Sequence, residues 1–356
     1  MMKKLVLILL FSLPTLLFSQ DCNCKSNFDW LKETFEKNDA GFSYAITKKG
    51  KQAYQRHNEV FTKKSTSVTN INNCQKLMAE WLAFFRSGHL KIKIINNTKN
   101  KSELSLKQKN RKQPEIYFKA IDKQTVYLRI STFRGAVKRK IDSVISIHKK
   151  TILKTPNLII DIRNNGGGSD SSYSKLLPLL YTTPIRSIGI EYLSTSLNNE
   201  RMLDFINNPK WGFDENSKKW AKKAFDKLDK QKGKFVNLNS TMVDEIKYDT
   251  IYKFPKRVGI IINNKNASTA EQFLLDAKQS KKVKLFGTAT KGVLDISNMH
   301  FVTSPSGDFE LGYGLSRSMR IPEMAIDTKG IQPDYFLDEE IKKENWIEFV
   351  TKSLRE

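Results

Sequence analysis

The chain has 356 residues, 39% of them hydrophobic, enough to bury a core in one large domain with an appendage or in two modest domains. Lys and Arg outnumber Asp and Glu by 61 to 37, a formal charge of +24. The lysines are scattered and lack the fold signature or aromatic platform of a nucleic-acid binder, so a generic basic surface and no nucleic-acid partner are expected; three cysteines without clustered histidines form no metal-site pattern.

Residues 1–20, MMKKLVLILLFSLPTLLFSQ, combine Lys3 and Lys4 with a short apolar run and a polar exit, the anatomy of a secretory signal cleaved near Gln20. Ser12, Pro14 and Ser19 interrupt the run, which falls short of the roughly 20 apolar residues of a bilayer span. The expectation is export, to a periplasm or beyond the cell, with no stable membrane insertion after cleavage. Gln20 and Asp21 are not the small residues expected before a lipid-modified cysteine, which argues against an anchor at Cys22. In an oxidising compartment one disulfide can form, most simply between the Cys22 and Cys24 region and Cys74, with Cys24–Cys74 the candidate pair.

FDWLKETFEKND and CQKLMAEWLAFFRSG space their apolar residues as amphipathic helices do, predicting a small, mainly helical N-terminal domain over residues 21–95. LKIKII at 90–95 and QTVYLRIST at 124–132 predict strands, separated by a basic connector over 96–123 whose densest stretch, 99–114, reads as a solvated loop. VKRKIDSVISIHKKTI predicts a helix and NLIIDI a buried strand, so residues 124–340 should form an α/β core whose sheet is covered on both faces. The polar, helical residues 198–235 read as an insertion able to close over a site. RVGIIIN at 257–263 predicts a second buried strand leading through NKNASTAEQ into a helix, and VKLFGTATKG a further strand and glycine turn. A terminal helix is expected over 341–356.

The stretch LIIDIRNNGGGSD at 158–170 ends a buried strand in three glycines. Phosphate loops need G-x-x-x-x-G-K-[ST] or G-x-G-x-x-G, and neither spacing occurs here. A glycine turn after a parallel strand also lets backbone N–H groups approach a carbonyl oxygen, as an oxyanion hole requires. Asp161 and Arg163 are expected to pair and pin the strand end. Ser268 lies between a strand and a helix. Its plain role is a helix cap, with Glu271 completing a Ser-x-x-Glu box, but the same junction also presents nucleophiles.

NLIIDIRNNGGG, then NNKNASTAEQF, FGTATKG and KGIQPD, in that order within residues 126–337, resemble the C-terminal-processing and tricorn-type serine peptidases. The resemblance implies a ClpP/crotonase-like β-α superhelix that hydrolyses peptide bonds of a peptide or protein substrate, with no metal or organic cofactor. It implies Ser268 as nucleophile, and an oxyanion hole from the N–H of Gly166 or Gly167 together with that of Thr269. The processing branch takes its base from a lysine in G-x-x-T-x-G-K. In GTATKGV, Val293 holds that position, and Lys291 nearby is the alternative base. The tricorn-like branch uses a histidine from an earlier GH motif, supplied here by FFRSGHLKI as His89, and an acid before the glycine of GIQPD, here Asp327, either to orient it or as part of the polar network behind it; the plain role of Asp327 is a turn former before Gly330. Ser87 could join that network, while His57, His148 and His300 are expected to be structural. Residues 90–123 are too few for a PDZ domain, which leaves recognition to the N-terminal helices and the 198–235 insertion. The missing lysine keeps a second reading open, a catalytically inactive exported protein that binds a peptide or glycan on the same scaffold.

Overall fold

The computed structural model describes residues 22–95, 115–239 and 241–356; the expected leader, the basic run at 99–114 and most of the connector lie outside the described residues. Helices α1 (Cys24–Asn38), α2 (Phe42–Lys49), α3 (Lys51–Ser65) and α4 (Ile71–Ala83) come first. Asn23 and Asn70 start α1 and α4 by accepting first-turn N–H groups on their side-chain oxygens. Phe28, Leu31 and Phe35 of α1 pack with Met78 and Trp81 of α4, and a Cys24–Cys74 disulfide joins the two helices.

This cluster does not close on itself. Phe309, Leu311, Tyr313 and Leu315, from the far end of the chain, complete it, and β1 (Lys91–Ile94) pairs antiparallel with the strand that carries them. Residues 22–95 thus share a core with the C-terminal half of the molecule.

β2 (Ile116–Ala120), β3 (Thr125–Ile130), α5 (Lys138–Ile152), β4 (Asn157–Asp161) and the short α6 (Leu177–Leu180) follow. β5 (Ile185–Ile188), β6 (Ile190–Leu193), α7 (Ser196–Asn207), α8 (Glu215–Asp229), β7 (Phe235–Val236) and β8 (Val243–Ile246) lead to β9 (Arg257–Ile262), α9 (Thr269–Ala277) and β10 (Val283–Gly287). β11 (Ile296–Thr303), β12 (Phe309–Ser318), β13 (Tyr335–Phe336) and α10 (Trp346–Ser353) end the chain.

The main sheet has the order β13-β10-β9-β4-β3-β2 and is parallel except for the edge strand β2. β4 and β9 are neighbours at its centre, which explains their unbroken aliphatic sequences. Leu158, Ile160, Val258 and Ile260 pack with Ile141 and Ile145 of α5 and Phe273 of α9, whereas Ile159 and Ile261 pack with Trp346 and Val350 of α10. A second, antiparallel sheet runs β1-β12-β6-β7, with β11 also on β12; β5 and β8 form a separate pair.

The 198–235 insertion is a docked helical pair. Met202 of α7 meets Ala224 and Leu228 of α8, Asn198 Nδ2 donates to Asn38 O at 2.8 Å, and Tyr313 Oη donates to Asn198 Oδ1 at 2.9 Å. Among the described residues no helix is long and apolar enough to cross a membrane.

Candidate active site

Because β4 and β9 are adjacent and parallel, the loops after them emerge side by side at the carboxyl edge of the sheet, where α/β proteins bind ligands. Ser268 lies in the second of these loops, immediately before α9, with φ 57° and ψ −126°. A positive φ is uncommon outside glycine and must be held by its surroundings. The fully buried Glu271 supplies much of that hold. Its Oε2 accepts the N–H groups of Ser268 (3.1 Å) and Val293 (2.9 Å), and its Oε1 accepts from Thr290 Oγ1 (2.6 Å) and Gly292 N–H (2.7 Å). The carboxylate half of the expected capping box therefore forms, and the same side chain ties Ser268 to the 290–293 turn. Four hydrogen bonds offset the cost of burying it.

The three glycines of the first loop differ in role. A Cβ on Gly167, which has φ 91°, would lie 2.7 Å from Ala267 O and 2.9 Å from both Ser268 Cβ and Thr269 N, so this residue lets the two loops touch. A Cβ on Gly168 would lie 2.2 Å from Phe133 O, where the loop bridges to the segment after β3. Gly166 opens on empty space. Gly167 is removed from the expected oxyanion donors, because its N–H already donates to Asn165 Oδ1 at 2.9 Å. The N–H groups of Gly166 and Thr269 donate to no other group among the described residues.

His89 arrives from the other side, in the loop between α4 and β1, also at positive φ (51°). Its Nε2 is 3.2 Å from Ser268 Oγ and its Nδ1 is 2.6 Å from the carbonyl oxygen of Ile296, the first residue of β11. A carbonyl can only accept, so Nδ1 carries the proton and Nε2 presents its lone pair to the serine. Burial, helped by the charges of Arg86 and Lys291, lowers the imidazole pKa to about 4, keeping the ring neutral at physiological pH.

A partly exposed serine, a neutral histidine in contact with it and two unengaged N–H groups make a hydrolytic constellation, on a scaffold that comparison places. The model of peptidase family S41 matches residues 124–337, well over half the chain. The chain belongs to peptidase family S41. It is a serine-type peptidase. CPAF complexed with lactacystin is similar with a TM-score of 0.64 at 12% identity, over 94% of this chain and 97% of that one. A putative peptidase from Parabacteroides merdae ATCC 43184 has a TM-score of 0.59 at 14% identity, over 94% and 97%. A lipoprotein from Streptococcus agalactiae has 0.51 at 16%, over 98% and 99%. These likenesses concern the fold, an S41 α/β core with a helical N-terminal region. No curated protein matches the sequence.

In this S41 peptidase Val293, at the position of the processing-branch lysine, is a buried packing residue. A Cβ on Gly88 would lie 2.3 Å from Val293 Cγ1, so the histidine loop rests directly on it. Lys291 is exposed; its backbone N–H donates to Asn266 O at 2.8 Å and its ammonium has no hydrogen bond to Ser268.

Asp327 requires a correction. It does not orient His89 directly, because the Ile296 carbonyl holds Nδ1. Its Oδ1 accepts the N–H groups of Leu294 (2.6 Å) and Asp295 (2.8 Å), while Asp295 Oδ2 accepts those of Ile326 and Asp327, both at 2.7 Å. This reciprocal clasp fixes the segment that delivers Ile296. Burial, with the neighbouring Asp295 charge, pushes the Asp327 carboxyl up to about 6. Ser87 is exposed and not bonded to His89.

The other expected residues are elsewhere. His57 Nε2 meets Trp81 O at 3.1 Å, His148 stacks on Phe118 and His300 is buried in β11. Arg163 pairs with the fully buried Asp161 at 2.6 Å, pinning the end of β4.

Sequence reasoning missed the partners of the histidine backbone. Arg86 donates to Gly88 O (3.0 Å) and His89 O (3.2 Å), and is itself gripped by Asp39 Oδ1 (2.7 Å) and Oδ2 (2.5 Å). Their only sequence signal is one arginine just before the GH pair, since Asp39 lies far upstream.

Proposed function

We propose that this S41 peptidase cleaves peptide bonds with Ser268 as nucleophile and His89 as general base. The observation that carries the reading is the 3.2 Å contact between Ser268 Oγ and a His89 Nε2 left unprotonated by the Nδ1–H donation to Ile296. The distance is at the outer limit of productive reach, as is common before substrate tightens the contact.

His89 takes the hydroxyl proton as Ser268 Oγ attacks the scissile carbonyl carbon, then passes it to the leaving amine. Negative charge on the carbonyl oxygen meets the N–H groups of Gly166 and Thr269, the latter at the positive end of the α9 dipole. Water then attacks the acyl-enzyme, with His89 again taking the proton. The imidazolium formed at each step is stabilised at Nδ1 by a carbonyl dipole, which raises the basicity of the ring but is outweighed by burial. Asp327 is assigned a positioning role through Ile296.

Export belongs to the same proposal. The basic, apolar leader over residues 1–20 and a disulfide between Cys24 and Cys74 both suit an oxidising compartment.

A fluorophosphonate probe tests the assignment. Labelling of the wild type, with loss in Ser268→Ala and strong slowing in His89→Ala, is expected. A folded wild-type protein that neither labels nor cleaves any peptide in a diverse library would sink the catalytic reading and favour the binding protein.

A further inference from the structure

Sheet edges expose unpaired backbone N–H and C=O groups, and folded proteins shield them with short strands or charged side chains. Most edges here follow that rule. β7 and β13 have two residues each, β1 carries Lys91 and Lys93, β2 carries Lys119, and the β5–β8 pair carries Arg186, Asp244 and Glu245. β11 does not. Its eight residues, ISNMHFVT, include no Lys, Arg, Asp, Glu or Pro, in a chain with 61 Lys and Arg. It pairs with β12 alone, and among the described residues no other helix or strand runs along its outer edge.

Hydrogen bonds show which groups face out. Ser318 N–H donates to Asp295 O at 2.7 Å, so the residue before β11 faces β12 and Ile296 faces away, where its carbonyl meets His89 Nδ1 at 2.6 Å. Asn298, at φ 57°, then turns the ladder over. Met299 lies opposite Gly314, whose O accepts Ala40 N–H (2.9 Å) and whose N–H donates to Asp39 Oδ2 (3.1 Å). With Gly314 engaged on its other side, Met299 faces outward, and by the alternation of an antiparallel ladder so do Phe301 and Thr303. Phe301 adds an apolar surface: it is 43% exposed and lies with Met299 over Gly312, where a Cβ would stand 2.6 Å from Phe301 Cε1 and 2.9 Å from Met299 Cε.

The edge is continuous with the catalytic centre. Its first residue holds the base, and Met299 follows after roughly 10 Å of strand. An extended polypeptide adds to such an edge through main-chain hydrogen bonds, which need no particular sequence, while alternate side chains read the surface beside it. Peptidase activity brings a partner of that chemistry to this place.

We propose that the outer edge of β11 is a substrate-binding strand, with Met299, Phe301 and Thr303 pairing main chain to main chain with an extended stretch of the polypeptide several residues from the cleaved bond. The proposal rests on the catalytic reading of Ser268 and His89. It makes the enzyme selective for long, unfolded segments more than for one side chain, and it places an apolar residue of the substrate against Phe301.

Peptides of one sequence, about twelve residues long, test it on the wild-type chain. Backbone N-methyl groups are placed on successive residues starting about four residues from the cleaved bond, on the acyl side in one peptide and on the leaving side in another. The methyl groups remove donors and crowd the edge while every side chain stays the same. One of the two peptides should show KM raised about tenfold or more with kcat within about threefold of the parent, and two methylated peptides cleaved like the parent overturn the proposal. Phe301→Pro removes an outward N–H without touching the β12 ladder and should raise KM for the parent peptide by a similar factor, while Phe301→Ala, which keeps the donor, raises it less. A Phe301→Pro protein that cleaves the parent as the wild type does overturns the proposal. So does one whose loss falls on kcat for long and short peptides alike, since β11 then serves only to hold His89. If Phe301→Pro does not fold, the N-methyl comparison on the wild type decides. A wild-type dimer that Phe301→Pro converts to monomer assigns the edge to a second copy and also overturns the proposal. Failure of the catalytic reading is separated by fluorescence anisotropy on Ser268→Ala. Weaker binding of one N-methylated peptide than of the parent supports the strand whether or not turnover occurs, and equal binding of all three overturns it.

Discussion

His89 and Ser268 both sit at positive φ, at 51° and 57°, and each is held there by backbone and buried contacts more than by its own preference. The histidine pKa of about 4 leads to a pH prediction. In the proposed mechanism the active form of His89 is neutral, so kcat/KM should rise with pH through about 4 and then stay level, with no acid limb near the ordinary histidine value of 6.5. The sign for stability is the same: the unfolded ring binds a proton more readily than the folded one, so this residue costs stability as pH falls from about 6.5 toward 4. Probe-labelling rates across that range check the first point, and an acid limb above pH 6 would contradict it. Asp327 can be tested by two substitutions. Asp327→Asn keeps an oxygen for the two N–H groups and should hold kcat/KM within about threefold, while Asp327→Ala orphans both donors and should cost about tenfold or more. If Asn were as damaging as Ala, the acid would be acting through its charge. These roles were only half legible. Ser268 and His89 stand in motifs, but the partner of His89 Nδ1 is a backbone carbonyl, and backbone partners leave no residue type to read.

At the scale of elements, β4 and β9 were legible because a central parallel strand is apolar on both faces. The β11–β12 hairpin was not. β12 is buried at nearly every position, which erases the alternation that marks a strand, and it carries glycines at 312 and 314 because side chains of β11 lie over them: a Cβ on Gly312 would be 2.6 Å from Phe301 Cε1. The helical pattern at the C-terminus was read from 341, but α10 starts at Trp346, whose indole N–H donates to Ile341 O at 2.8 Å. Contact between the histidine loop and the 290–293 turn is also an element-scale property. Gly88→Ala places a methyl against Val293 and should displace His89, lowering kcat by about a hundredfold while labelled peptides still bind. A double variant, Gly88→Ala with Val293→Ala, should recover part of the loss, and its failure to do so would remove Val293 as the cause.

For the whole molecule, the site is a junction: Ser268 and the glycine loop come from the parallel sheet, His89 from the N-terminal helices, and Ile296 from the antiparallel sheet. The buried pair of Asp39 and Arg86 locks the N-terminal part in place, since Asp39 Oδ2 also accepts Gly314 N–H at 3.1 Å. Asp39→Ala leaves a buried guanidinium without its counter-charge and should cost about 3–5 kcal/mol of stability, with activity lost even below the melting transition. Denaturant titration alongside probe labelling checks this, and a stable, fully active variant would show that the N-terminal helices do not hold the base.

The sequence by itself determined the local signals: two strands apolar on both faces, a glycine turn, a serine at a helix start and a histidine in a GH pair, ordered along the chain as in one peptidase family. Each depends on neighbours a few residues away, which is the range over which periodicity and motifs act. Only the tertiary structure decided that Gly166 and Thr269 keep open N–H groups while Gly167 does not, that a carbonyl and not Asp327 meets His89, and that Arg86 and Asp39 anchor it. Those outcomes depend on distances of a few tenths of an ångström between segments far apart in the chain, and only packing fixes such distances.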